Sequence, residues 1–130
     1  MQMWMRAPGR LVSQSMMAIG IGFIAIIVGR EVSATPQTTQ EIRGLLDFVE
    51  HSECRFVRNG TEYSGPRARA HLMQKLDYLE GRKMVKSAED FIDLAATKSS
   101  MSGRTYEVRC PEGVEPASIW LKRELQRQRQ

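Results

Sequence analysis

The residues of this chain whose types can do chemistry are two cysteines, two histidines and a group of carboxylates: Cys54 and Cys110, His51 and His71, and Glu89, Asp90 and Asp93. Two cysteines are too few for a four-thiolate zinc site. Redox pairs usually sit two residues apart with one thiolate stabilised nearby, and these lie far apart in the sequence. A structural disulfide is therefore expected, provided the protein reaches an oxidising compartment. In the chain-entropy model a bond closing so long a loop contributes up to ~4 kcal/mol.

The histidines offer less. A zinc site would need both, with Glu50 or Glu53 as further ligands, and their spacing does not support one. No metal and no cofactor is expected. A Ser64–His71 nucleophile pair would span the start of a helix, where Ser64 has a simpler place at the junction. Glu89, Asp90 and Asp93 fall in the first turns of a helix, where acids suit the positive end of the dipole. A hydrolase would instead need two of them ~5–10 Å apart in a cleft. The chain has no Gly-rich phosphate loop, nucleophile elbow or His-Glu-x-x-His pattern. Nothing in it defines a catalytic residue. The enzyme reading that survives is a small hydrolase using His71 with polar neighbours such as Arg58 or Asn59.

An N-terminal leader answers the compartment question. Arg6 and Arg10 precede an apolar run from Met16 to Val28, and Val32-Ser33-Ala34 places small residues before a cleavage point. A positive start, ~7–15 apolar residues and a small-residue site describe a secretory signal peptide. The run is short of the ~20 apolar residues a membrane span needs. Residues 1–34 are thus expected to be removed, leaving residues 35–130 as one domain with no stable transmembrane span. Removing Arg6, Arg10, Arg30 and Glu31 lowers the net charge from +4 to +2, so part of the basicity belongs to the leader. A charge this small, with few aromatics beside it, argues against a nucleic-acid partner. Arg67, Arg69, Lys75, Arg82, Lys83 and Lys86 outnumber the acids between Pro66 and Lys86, as do Lys122, Arg123, Arg127 and Arg129 near the end. These can be a solvated face or a weak contact with an anionic envelope component or an envelope protein.

Several elements must position these side chains. Ile42, Leu45, Leu46 and Val49 keep helical spacing behind a Thr38–Glu41 capping box, predicting a helix over 39–51 after a loose start. Phe48 lies off that stripe and is expected to face a second surface. Asn59-Gly60 between two alternating runs predicts a hairpin with Phe56 opposite Tyr63, and with Cys54, Phe56, Arg58, Thr61 and Tyr63 on one face. The same residues spell a glycosylation sequon, but the turn already explains them. Pro66 to Glu80 reads as a second helix ended by Gly81, and Ser87 caps a third with Phe91 and Ile92 in its stripe. Thr105–Arg109 alternates as a third strand, Pro111-Glu112-Gly113 is a turn, and Pro116 opens a last helix with a fraying tail. An isolated hairpin is barely stable, so the late strand should join it. The product is a small α+β domain: a short antiparallel three-stranded sheet packed by four helices.

The segments Phe56-Val57-Arg58-Asn59-Gly60, Ala88-Glu89-Asp90-Phe91-Ile92-Asp93 and Ser102-Gly103 followed by Tyr106 resemble the YfeK-like family of small exported bacterial proteins, a domain of unknown function. The resemblance runs from Glu41 to Leu125. It implies a periplasmic or secreted protein and brings no activity, so it assigns no catalytic residues. The reading reached is a noncatalytic, disulfide-tied envelope module, with the hydrolase as its alternative. The exported form is expected to begin at Thr35, within a residue or two. Mass spectrometry of the secreted protein checks this, and a product that keeps Met1 to Ala34 refutes it.

Overall fold

The computed structural model describes Gly20, Gly22 and residues 34–130. Apart from Gly20, Gly22 and Ala34, the expected leader lies outside the described residues.

The first helix, α1, spans Pro36–His51. It starts a turn earlier than the capping-box spacing suggests, because Thr35 takes the cap: its side chain accepts from the Thr38 N–H, and Pro36 fills the first turn. Thr38 is instead buried inside the helix, where its hydroxyl meets Thr35 Oγ1 at 3.0 Å. The expected stripe of Ile42, Leu45, Leu46 and Val49 is buried in the core. Phe48 does meet another surface, with its ring 4.4 Å from that of Trp120.

Strands β1 (Arg55–Arg58) and β2 (Thr61–Tyr63) form the expected hairpin, pairing Phe56 with Tyr63, Val57 with Glu62 and Arg58 with Thr61. Asn59 at φ 51° and Gly60 at φ 78° supply the two left-handed residues of such a turn. Helix α2 (Gly65–Gly81) follows at once, and Gly65 is buried against the end of α1. A Cβ there would lie 2.5 Å from the Val49 carbonyl oxygen and 2.6 Å from that of Glu50. Those are backbone atoms that cannot step aside, so this close approach of α1 and α2 requires glycine. Helix α3 (Ala88–Ala95) has the Ser87 cap its sequence promises, with the side chain accepting from Asp90 N–H at 3.1 Å.

The sheet has four strands, not three. β3 (Glu107–Cys110) pairs antiparallel with β1, placing Phe56 opposite Val108, and the order is β2-β1-β3-β4. The expected strand started at Thr105, but Thr105 bridges Lys98, and Tyr106 N–H donates to the Thr97 carbonyl at 3.0 Å. The fourth strand, β4 (Gly113–Pro116), follows the expected turn: Cys110 pairs with Gly113, so Pro111 and Glu112 are the whole loop and the chain returns beside β3. β4 carries one apolar residue, Val114, and ends on Pro116, so it has no alternating pattern. Proline is tolerated there because β4 is an edge. Helix α4 (Ala117–Gln128) buries Trp120, Leu121 and Leu125. Its tail is held rather than frayed: Arg129 pairs with Glu41 on α1 and Glu89 on α3, each at 2.5 Å.

Helix α1 touches α2, α3 and α4, while α2 and α4 also rest on the sheet. Phe91, Leu45, Ile92, Leu121, Leu125, Val49 and Val108 are the largest side chains wholly removed from water. Cys54 and Cys110 form a disulfide with Cα atoms 4.3 Å apart, tying the start of β1 to the end of β3. Among the described residues, no helix is long and apolar enough to cross a membrane. Cys54→Ser and Cys110→Ser are each expected to lower the melting temperature by on the order of 10–20 °C, and the double variant by little more. Thermal unfolding under oxidising conditions checks this. Undiminished stability in either single variant would show that the bond constrains nothing.

Candidate functional site

The hairpin register decides where Arg58 points. It shares a face with Phe56, which is buried under the helices, so its guanidinium is sent toward α2. On α2, His71 and Lys75 are one turn apart on the face that meets it. Arg58 Nη1 lies 2.7 Å from His71 Nδ1 and 3.1 Å from Nε2, and Arg58 Nη2 donates to the Tyr63 hydroxyl at 3.3 Å. The His71 Nε2 is 3.2 Å from the Tyr106 hydroxyl, which also accepts from Lys75 Nζ at 3.4 Å. Lys75 sits 5.0 Å from the Tyr106 ring centre; Arg58 and Arg67 sit 5.1 Å and 5.9 Å from that of Tyr63.

This cluster edges a cavity of about 280 Å³ between α2 and the sheet. Its lining includes the polar groups Arg58, Arg67, His71, Tyr63 and Tyr106. The apolar part includes Phe56, Ala68, Leu72, Ala96, Ala117 and Leu121. Among the described residues no carboxylate forms a salt bridge with Arg58, Arg67 or Lys75. Glu107 contributes to the lining, but it precedes the fully buried Val108, and strand alternation turns its side chain to the other face.

The electrostatics follow from that composition. Arginine cannot give up its proton, so Arg58 donates and a ring nitrogen of His71 must accept. With Nδ1 accepting, the remaining proton belongs on Nε2, facing Tyr106. A second ring proton would point at a guanidinium. Burial, then the charges of Arg58 and Lys75, accordingly hold the His71 imidazole below its ordinary value. Burial, then Arg58, also lowers Lys75. The hydrogen bond from Arg58 lowers the Tyr63 phenol, whereas burial raises that of Tyr106.

The other sequence candidates are placed elsewhere. Asn59 lies at the exposed hairpin tip, away from the cavity, where Nδ2 donates to Ser99 Oγ at 3.3 Å and Oδ1 accepts from Ser102 Oγ at 2.5 Å. It clamps the loop before β3. His51 Nδ1 contacts the Asp47 carbonyl at 2.9 Å at the end of α1. The acids of α3 are engaged singly: Glu89 with Arg129, Asp90 with the Lys86 N–H and Asp93 with Lys122. Several cations of the basic runs are engaged with carboxylates. Arg69 meets Asp47 and Glu50, Arg123 meets Glu115, and Arg127 meets Glu124. Among the described residues, no cluster of three or more potential ligands is arranged to hold a metal. Lys75 and Arg67 were singled out only as members of a basic run, and Tyr63 and Tyr106 were not among the sequence candidates for a site. The His71–Lys75 spacing and the shared face of Arg58 and Tyr63 were available clues, but nothing local joins Tyr106 to α2.

A model of a family of unknown function, DUF5329, matches residues 36–129, and the chain belongs to that family. This is the coarser part of what the sequence resemblance implied. No curated protein and no solved structure matches the chain.

Because His71 titrates lower in the fold than in the unfolded chain, its contribution to stability is fully present above the ordinary value of about 6.5 and is lost as pH falls toward the folded value. Between pH 7 and 5 the melting temperature of the wild type is expected to fall more steeply than that of His71→Gln. Thermal melts across that range check the sign, and a His71→Gln profile that falls more steeply than wild type would refute it.

Proposed function

We propose that this protein is an exported, noncatalytic binding module of the YfeK-like kind, and that it takes an anionic group of an envelope component in the cavity between α2 and the sheet. The single observation that carries this is that Arg58 and Arg67 line one cavity and Lys75 stands against its Tyr106 wall, with no carboxylate among the described residues pairing with any of the three. Buried or half-buried charge is costly unless it is compensated. An incoming carboxylate or phosphate would supply the missing counter-charge and accept the guanidinium's spare donors. The disulfide supports the export half, since such bonds persist in oxidising compartments.

Binding is favoured over hydrolysis by what surrounds His71. Its ring contacts are Arg58 and Tyr106. A general base of the triad type is oriented by a carboxylate and faces a nucleophile, and neither role has an occupant among these contacts.

Calorimetric titration of the purified protein with acetate and with inorganic phosphate tests the anion reading. Arg58→Gln and Lys75→Gln are each expected to weaken binding about tenfold or more. Lys122→Gln, whose partner is the exposed Asp93, should leave it unchanged. Equal affinity in the cavity variants and wild type would refute it.

A further inference from the structure

Resting on that reading, we infer that the ligand is an amphipathic anion: a carboxylate or phosphate headgroup carried on a short apolar tail. The cavity combines a set of polar side chains with a larger apolar part. Arg58, His71 and Tyr63 stand at its edge and are half-buried, and Arg67 is exposed. The buried walls include Phe56, Leu72 and Leu121, with Ala68, Ala96 and Ala117. All six are buried, between 1% and 9% exposed.

Of the four lining alanines, the three buried ones come from different elements: Ala68 from α2, Ala96 from the residue capping α3, and Ala117 from the first position of α4. At each of these places a larger side chain would fill the space, as leucine and phenylalanine do elsewhere in this core. The volume of about 280 Å³ therefore persists where helices and sheet would otherwise close. It is near the lower end of the ~300–1,000 Å³ range of small-molecule pockets, which are typically apolar with a few placed polar groups. A bare inorganic anion would use the rim and leave the apolar floor unused. An acyl or aryl tail would displace water from that floor and gain with each methylene buried.

The test compares octanoate and octyl phosphate with acetate and inorganic phosphate, by calorimetry on the purified protein. The tailed anions are expected to bind at least about tenfold more tightly than their tailless counterparts. The methyl resonances of Ala68, Ala96 and Ala117 should shift with octanoate and stay in place with acetate. Ala68→Leu should remove the advantage of the tail while acetate still binds. The methyl shifts in the wild-type protein decide the matter even if that variant does not fold. Equal affinity for tailed and tailless anions, or octanoate shifts confined to other methyl groups, would overturn the tail while leaving the anion site standing. Failure of every anion to bind would overturn both.

Discussion

The disulfide between Cys54 and Cys110 fastens one end of β1, and the hydrogen bonds of Asn59 to Ser99 and Ser102 fasten the other. Everything between them inherits that constraint. β1 is an inner strand, paired with β2 on one side and β3 on the other. Its register fixes Phe56 under Trp120, with ring centres 5.5 Å apart, and Arg58 two residues further along the same face. The guanidinium is thus held over the cavity by backbone geometry and by two anchors distant in sequence. A domain of this size buries a modest share of its surface, so a covalent tie across the sheet is a large part of its stability margin.

The charges around the cavity differ from the ion pairs found on other parts of the surface. Several cations elsewhere meet carboxylates: Arg69, Arg109, Lys122, Arg123, Arg127 and Arg129 are paired. Those exposed on both sides, such as Arg109–Glu62 and Lys122–Asp93, contribute little individually. At the cavity, Arg58 leans on a histidine and a tyrosine, and Lys75 on a tyrosine and the Lys98 carbonyl. These neutral acceptors satisfy hydrogen bonds and leave the net positive charge standing. The lowered His71 and Lys75 values have the same origin, since each gains by shedding a proton in a basic, partly buried place.

What the sequence disclosed depended on how local the cause was. Asn59-Gly60 determines a two-residue turn, and the turn determines every pair in the first hairpin. The Ser87 cap and the apolar stripes of α1 and α3 are equally local. The partnership of Arg58 with His71 was legible as far as naming both residues, because one extends the Phe56 face and the other edges an amphipathic helix. β4 was not legible: a strand of Gly, Val, Glu and Pro has no alternation, and only its pairing with β3 makes it a strand. The ordered tail was hidden for the same reason, since Arg129 meets partners 88 and 40 residues away. Tyr106 joins the cluster because Thr97 and Ala117 hold its backbone, neither of which a linear pattern announces.

His71 lies between the cations Arg58 and Lys75, where the proposed anion would sit. Proton NMR titration of the His71 ring, without and with octanoate, measures this directly. The expected result is an imidazole that titrates below 6.5 in the free protein and moves upward when the anion binds, as the charges of Arg58 and Lys75 are offset. A free-protein value above 6.5 that octanoate leaves unmoved would mean that a carboxylate already neutralises the site, and would contradict the account.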